Sequence, residues 1–360
     1  MERRKFLTSA ALGAAAAPLA TPALAQSRTD MVIVSTWGRD FPGLGTSAQR
    51  LSARIEELTE GRIAVQYFAA GERVGAFDSF DEVASGNAQG YIAGDYYWKG
   101  KHAGWAPFAA IPFGLTYTEM DAWMKFMGGQ ELHDKLGDEF GLKGFACGNT
   151  GVQMGGWFNK EINSPDDLRG LKMRIPGLGG DVMAKVGASP VSLPGGQIYE
   201  NLVSGAIDAT EWVGPWNDFF LKLYEAAQYY YWPGFHEPGT QLTLGMNKEW
   251  WSGLSANDQN LIEAACNEEN ARQAAETNAN NGVYLQRLLD EYGVELREFN
   301  DDIYEALGEA SNEVIEETRD HSALAAEIID SALAARDQVG AWAALADAPY
   351  VAKRNRFLDL

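Results

Sequence analysis

Between Asp258 and Tyr292 the chain runs through Ala, Glu, Gln, Asn and Leu without a proline. Strong helix formers dominate, so this stretch predicts one continuous helix. At 1.5 Å per residue such a helix is roughly 50 Å long, against ~30 Å for a small domain. A rod of that length must lie along more than one packed body. The 360 residues also exceed the ~250–300 that a single hydrophobic core serves. Two lobes with a long helix spanning both are therefore the first expectation. A second helical region, from Ile303 to about Leu345, is charged and shows no nucleophile or metal-ligand spacing. Packing, or a surface shared with a second copy, is its expected use.

The first lobe reads as alternating strand and helix. Met31–Trp37 is strand-like, and Leu51, Ile55 and Leu58 then share one helix face at i, i+4 and i+7. Ile63–Phe68 reads as a second strand, and Phe77, Phe80 and Val83 mark another helix face. That order predicts an α/β fold with a mainly parallel sheet. A faint repeat points to a second lobe built like the first. Glu82-Val83-Ala84-Ser85-Gly86 leads into Gly90–Trp98, and Glu200-Asn201-Leu202-Val203-Ser204-Gly205 leads into Ile207–Trp216. Each reads as helix, Ser-Gly stop, short strand and aromatic-rich loop. Ligands of such sheets sit beyond the carboxyl ends of the strands, so the two loops would face a shared cleft.

Arg3-Arg4-Lys5-Phe6-Leu7, an Ala-rich Ser9–Leu19 and Thr21-Pro22-Ala23-Leu24-Ala25 predict an export leader over residues 1–25, cut after Ala25. The paired arginines resemble a twin-arginine signal, with the general secretory route as the alternative. The formal charge is −21, and the basic leader makes the remainder more acidic still. Such a chain repels nucleic acid and anionic membrane surfaces. An anionic ligand would need local cations. Cys147 and Cys266 leave two options open, one disulfide or two buried thiols, and no spacing suggests zinc.

Enzyme signals are thin. His102, His133 and His321 stand in polar, surface-like contexts, and His236 lies beside Glu237 near a turn. No G-x-S-x-G, H-E-x-x-H or S-x-x-K occurs. Gly43-Leu44-Gly45-Thr46-Ser47-Ala48 fits G-x-G-x-x-A, but Gly38–Pro42 separates it from the first strand. A dinucleotide turn opens its helix straight from the strand end. Helix N-capping by Thr46 or Ser47 explains the motif better.

The chemistry-bearing residues lie in the middle. Cys147–Phe158, CGNTGVQMGGWF, is too Gly-rich for a helix and too polar for a buried strand. Its glycines would bring backbone close to a ligand, with Asn149 and Gln153 supplying amides. Leu171-Lys172-Met173-Arg174-Ile175-Pro176 is a strand with one Arg among apolar residues, and the planar fork of Arg fits a carboxylate. Glu211-Trp212 ends the next strand, and Glu237 lies in the return segment Trp232–Gly239. Two glutamates in aromatic surroundings are costly unless paired or metal-bound.

These segments, with GDYYWKGK (Gly94–Lys101), SGAIDATEWVGPW (Ser204–Trp216) and YYYWPGFHEPG (Tyr229–Gly239), closely resemble the extracytoplasmic solute receptors of tripartite ATP-independent periplasmic (TRAP) transporters. The nearest branch is the α-keto acid receptors, and the likeness covers essentially the whole chain after the leader. It implies a two-lobed periplasmic binding protein fold with a hinge: leader 1–25, lobe I 26–150 plus about 235–256, lobe II 151–234, then the spanning helix and C-terminal helices 257–360. It implies a carboxylate clamp at Arg174. Gln153 would touch ligand and metal, while Glu211, the Trp212 carbonyl and Glu237 would complete a cation site. Tyr96, Tyr97, Asn149 and Trp212 would contact the ligand, with Trp216 adding to an apolar wall. Cys147 and Trp216-Asn217 have no clear counterpart.

The implied function is capture of a small, pyruvate-like 2-oxo monocarboxylate in the periplasm and its delivery to TRAP membrane permease subunits, without chemistry. Dimers through C-terminal helices are part of the same resemblance. Glu211, Glu237 and a ligand carboxylate against Arg174 leave a deficit that Ca²⁺ neutralises, whereas the resemblance leans to Na⁺; a protonated Glu would reconcile the two. A 2-hydroxy acid with Ca²⁺, or an aromatic carboxylate, would suit nearly the same motifs. Two other classes remain, an exported enzyme acting on small acids and a structural partner protein using the acidic C-terminal helices.

Overall fold

The computed structural model describes residues 28–358; the proposed leader lies outside them. β1 (Thr29–Ser35), α1 (Leu44–Leu58), β2 (Ile63–Phe68), α2 (Ser79–Ala84) and β3 (Gly90–Ala93) alternate as the hydrophobic pattern requires. β1 buries Met31 and Ile33, and α1 turns Leu44, Ala48, Leu51 and Ile55 onto the sheet. α3 (Tyr117–Phe126) and α4 (Gly129–Glu139) follow, then β4 (Leu142–Asn149). The chain crosses over to β5 (Gly156–Phe158). There β6 (Lys172–Arg174), α5 (Gly177–Lys185), β7 (Ser189–Val191), α6 (Gly195–Val203) and β8 (Ala209–Thr210) repeat the earlier order. After α7 (Pro215–Phe220) and β9 (Tyr229–Trp232) the chain crosses back to β10 (Gln241–Asn247).

The two sheets run β2-β1-β3-β10-β4 and β11-β9-β5-β8-β6-β7, where β11 is Glu295–Glu298. The triplets β2-β1-β3 and β7-β6-β8 are equivalent, and in both halves Ser-Gly ends the helix before the third strand. The repeat is therefore structural. Neither sheet is as parallel as expected. β10 lies antiparallel between β3 and β4, and β5 lies antiparallel between β8 and β9. Each of these strands arrives from the other sheet at the cleft edge, where its parallel neighbours end, so it must run against them.

α8 (Lys248–Ser252) leads into α9 (Ala256–Tyr292), 37 residues long. Its first half packs on β4 and α1, where Arg50 forks to Glu269 at 2.6 Å and Glu276 at 2.7 Å. Its second half packs on α7, with Phe219 against Tyr284. α10 (Asp301–Asp320) then covers α5, and α11 (Ala323–Ala343) returns to α3 and α4. α12 (Asp347–Phe357) buries none of its residues. Each half has its own apolar core, and a third runs beneath α9 through both sheets. Among the described residues no helix is long and apolar enough to cross a membrane.

Several expectations need correction. His133 is buried, not at the surface, because the α4 face carrying Leu132 and Leu136 faces the core; its Nε2 pairs with Asp95 Oδ2 at 3.0 Å. His102 is also buried, accepting from the Gly104 amide and contacting Ser322. Gly43, not Thr46 or Ser47, is the N-cap of α1, and Thr46 accepts from the Gly43 amide from within the first turn. Cys147 and Cys266 are buried free thiols. The glycines of the first crossover serve packing more than ligand approach. At Gly156 φ is 119°, and a Cβ would meet the Thr210 carbonyl at 2.7 Å.

Candidate ligand and cation site

The parallel register of β6 and β8 sets Arg174 opposite Thr210, so Arg174 and Glu211 emerge side by side at the cleft. Arg174 is 1% exposed. Its Nε donates to the Leu193 carbonyl at 3.1 Å and its Nη1 to Glu211, through both the side chain and the backbone oxygen. The guanidinium lies over the Trp212 ring at 5.1 Å. Tyr96 and Tyr97 follow β3 from the opposite half and meet edge to face at 4.7 Å.

The crossovers supply the remaining donors, and they are laced together by backbone. The amide of Thr150 donates to Thr240, that of Gln153 to Glu237 and that of Gly234 to Gln153. In this ribbon Gln153 Nε2 donates to Glu237 Oε2 at 2.8 Å and to the Thr150 and Thr240 hydroxyls, while Thr240 donates to the same Glu237 oxygen at 2.6 Å. Glu211, His236 and Glu237 bring one ligand atom each to within 4.8 Å of one another.

Not every expected residue reaches this place. Asn149 Nδ2 donates to the Gly239 carbonyl and its Oδ1 accepts from the Gly151 amide, so its whole amide is committed to joining the crossovers. Trp216 does not line the enclosed space. The walls are Trp37, Leu44, Tyr96, Tyr97, Trp212, Val213 and Leu242, with Gln153 and Arg174 as the polar end. The enclosed space is small, nearer to one water than to the ~300–1,000 Å³ that drug-sized ligands need.

Burial dominates the electrostatics. It lifts the carboxyls of Glu211 and Glu237 to about 7 each; Arg174 pulls Glu211 back, while the charge of Glu211 adds to the rise at Glu237. Burial also holds His236 down at about 4. Glu211 Oε2, Glu237 Oε1, Gln153 Oε1 and Arg174 Nη2 all lack hydrogen-bond partners among the described residues. Leaving one such group unpaired costs ~1–3 kcal/mol. Three carboxylate or amide oxygens form the donor set of a hard cation such as Na⁺ or Ca²⁺, and the free guanidinium edge suits a carboxylate.

Sequence reasoning passed over the residues behind the site. Asp218, buried, accepts from Trp157 Nε1, the Tyr230 hydroxyl and the amides of Val213 and Gly214, fixing the turn after Glu211-Trp212. Pro215 at the start of α7 was the available signal, since an acidic residue in that first turn reaches back to free amides. Asp95 does the same service in the other half, holding His133 and Thr243 just before Tyr96.

Two repeated α/β halves that close on a small cavity, with an Arg and an oxygen cluster together at its polar end, define a solute-binding protein. Residues 34–321 match the bacterial extracellular solute-binding proteins of family 7, and the chain belongs to that family. It is 37% identical over 352 residues to a monocarboxylate 2-oxoacid-binding periplasmic protein of Nostoc sp., covering 95% of this chain and 96% of that one. Among solved structures it is similar to a TRAP periplasmic solute-binding protein of Pseudoalteromonas atlantica with bound sodium and pyruvate. That match has a TM-score of 0.87 and 37% identity, over 90% of this chain and 98% of that one. A TRAP periplasmic solute-binding protein of Colwellia psychrerythraea with bound calcium and pyruvate matches with a TM-score of 0.88 and 37% identity, over 91% and 99%.

Proposed function

We propose that this chain is a periplasmic TRAP receptor that binds a small 2-oxo monocarboxylate, pyruvate or a near homologue, together with a metal cation, and hands it to the membrane permease. The observation that carries this reading is the unpartnered buried polar groups gathered in one place, Gln153 and Arg174 lining the small enclosed space and Glu211 and Glu237 linked to them by hydrogen bonds. Arg174 clamps the ligand carboxylate, which takes the place Glu211 now holds on the guanidinium. Freed from Arg174, Glu211 joins Glu237, the Gln153 amide oxygen and the Trp212 carbonyl around the cation. A 2-oxo acid suits this frame because one carboxylate oxygen and the keto oxygen chelate the same ion. Trp37, Leu44 and Leu242 leave an apolar end for a short side chain. The receptor does no chemistry; its output is the closed, loaded cleft.

The test is thermal unfolding of the chelated protein with pyruvate, longer 2-oxo acids, lactate and picolinate, each with Na⁺ or Ca²⁺. A ligand at 100 times its Kd adds about 2.7 kcal/mol of stability. A shift confined to 2-oxo acids and requiring a cation supports the reading, whereas preference for lactate or picolinate moves the ligand class. In Glu237→Gln the cation requirement should weaken sharply; an unchanged requirement removes Glu237 from the site.

A further inference from the structure

One donor in the cluster has no part in the oxygen set. His236 is 1% exposed, and neither ring nitrogen has a hydrogen-bond partner among the described residues. A neutral imidazole offers one donor and one acceptor, so both are left unspent in the interior. Its Nε2 lies 3.4 Å from Glu211 Oε2, which is itself unpartnered. Two ligands bonded at ~2.1 Å to one tetrahedral ion stand about 3.4 Å apart. Glu211, His236 and Glu237 share donor atoms within 4.8 Å, so the set closes on such an ion by drawing in toward that ~3.4 Å separation.

We propose that His236 is a nitrogen ligand at this site, so that the Glu211–His236–Glu237 set accepts a first-row divalent ion such as Zn²⁺ or Co²⁺ as well as a hard cation. The inference rests on the cation site of the proposed function and extends it to cation selectivity. Hard cations take oxygen donors, whereas imidazole favours Zn²⁺, Co²⁺, Ni²⁺ and Cu²⁺. Charge agrees. The imidazole is neutral, and two glutamates plus a ligand carboxylate against Arg174 leave a deficit that a divalent ion cancels. The ring is also held in place, with Phe235 edge-on at 5.4 Å.

The experiment titrates the chelated protein with Zn²⁺, Co²⁺ and Ca²⁺ in the presence of pyruvate, by calorimetry and by the visible absorption of Co²⁺. His236→Gln should lower the ratio of Zn²⁺ to Ca²⁺ affinity by about tenfold or more. An unchanged ratio overturns the proposal. Should that variant fail to fold, ring ¹⁵N shifts of the wild-type protein decide, since the chain has only four histidines. His236 Nε2 should shift strongly with Zn²⁺ and little with Ca²⁺; no Zn²⁺ shift overturns it. Failure of pyruvate to bind with any cation would strike the proposed ligand, while the Zn²⁺ shift would still report on His236.

Discussion

Arg174 is buried beside two carboxyl groups, Glu211 and Glu237, each with an oxygen that lacks a partner among the described residues. Removing it leaves Glu211 and Glu237 buried without a counter-charge, and truncating one member of such a set costs ~2–5 kcal/mol. Arg174→Ala should therefore weaken pyruvate binding by about 30-fold or more in calorimetry. Arg174→Lys should not restore it, because a point charge lacks the planar fork. The same burial predicts how stability follows pH. Glu211 and Glu237, at about 7, and Asp218, at about 6, hold protons that their unfolded counterparts have released. Between about pH 4 and 7 the folded state thus binds more protons, and stability falls as pH rises. His236, at about 4, has the opposite sign between about 4 and 6.5, one group against three. Chelated, ligand-free protein should melt higher at pH 5 than at pH 8, and Ca²⁺ with pyruvate should flatten that slope. A melting point that rises with pH would count against the buried pair. At this scale the sequence showed charged residues stranded among aromatics, which is why Arg174, Glu211 and Glu237 were visible. It could not show direction. Asn149 turned inward to the crossover backbone, and His236 turned toward the glutamates.

Among the elements, length decided what was legible. The 37-residue α9 announces itself, and the β1-α1-β2 alternation is long enough to carry a period. β5 with three residues and β8 with two are too short for any period; their places depend on pairing with distant strands. The loop before α1 is another such case, because its purpose lies across the cleft. Asn217 Nδ2 donates to the Pro42 carbonyl at 2.9 Å, and at Gly43 φ is 78° with a would-be Cβ 2.9 Å from that Asn217 amide. Gly43→Ala pays a left-handed backbone cost of ~1–2 kcal/mol and crowds the closed mouth. It should lower the melting temperature by a few degrees and weaken ligand binding about tenfold. Asn217→Ala loses one hydrogen bond of ~0.5–1.5 kcal/mol, so binding should drop a few-fold with little change in melting. Equal losses of stability and affinity in both variants would argue against a contact specific to closure.

At the scale of the molecule, α11, α12 and the turn between them leave apolar surface uncovered: Trp342 is 68% exposed, Leu345 79%, Tyr350 65% and Phe357 72%. Four large side chains on adjoining helices and the turn between them exceed the scattered exposure normal for a monomer, and a second copy of the chain is the partner we propose for them. Light scattering should give twice the mass of one chain, and removal of residues 347–360 should halve it while pyruvate binding persists. A monomeric full-length chain would leave that face to another partner. The two-lobed plan itself followed from the spanning helix and the repeat, but which sheet received each crossover strand could not, since both crossovers look alike as sequence.

The crossover ribbon that joins the two sheets also holds Gln153 and Glu237, so the connection between the halves and the proposed receptacle are one piece of backbone. A seesaw whose fulcrum grips the load cannot tilt without loosening that grip. Twisting the ribbon would pull Gln153 from Glu237, the pair proposed to hold the cation. On the proposed function, a permease that pried the two halves apart would release the acid by breaking this ribbon's grip, without touching the ligand itself.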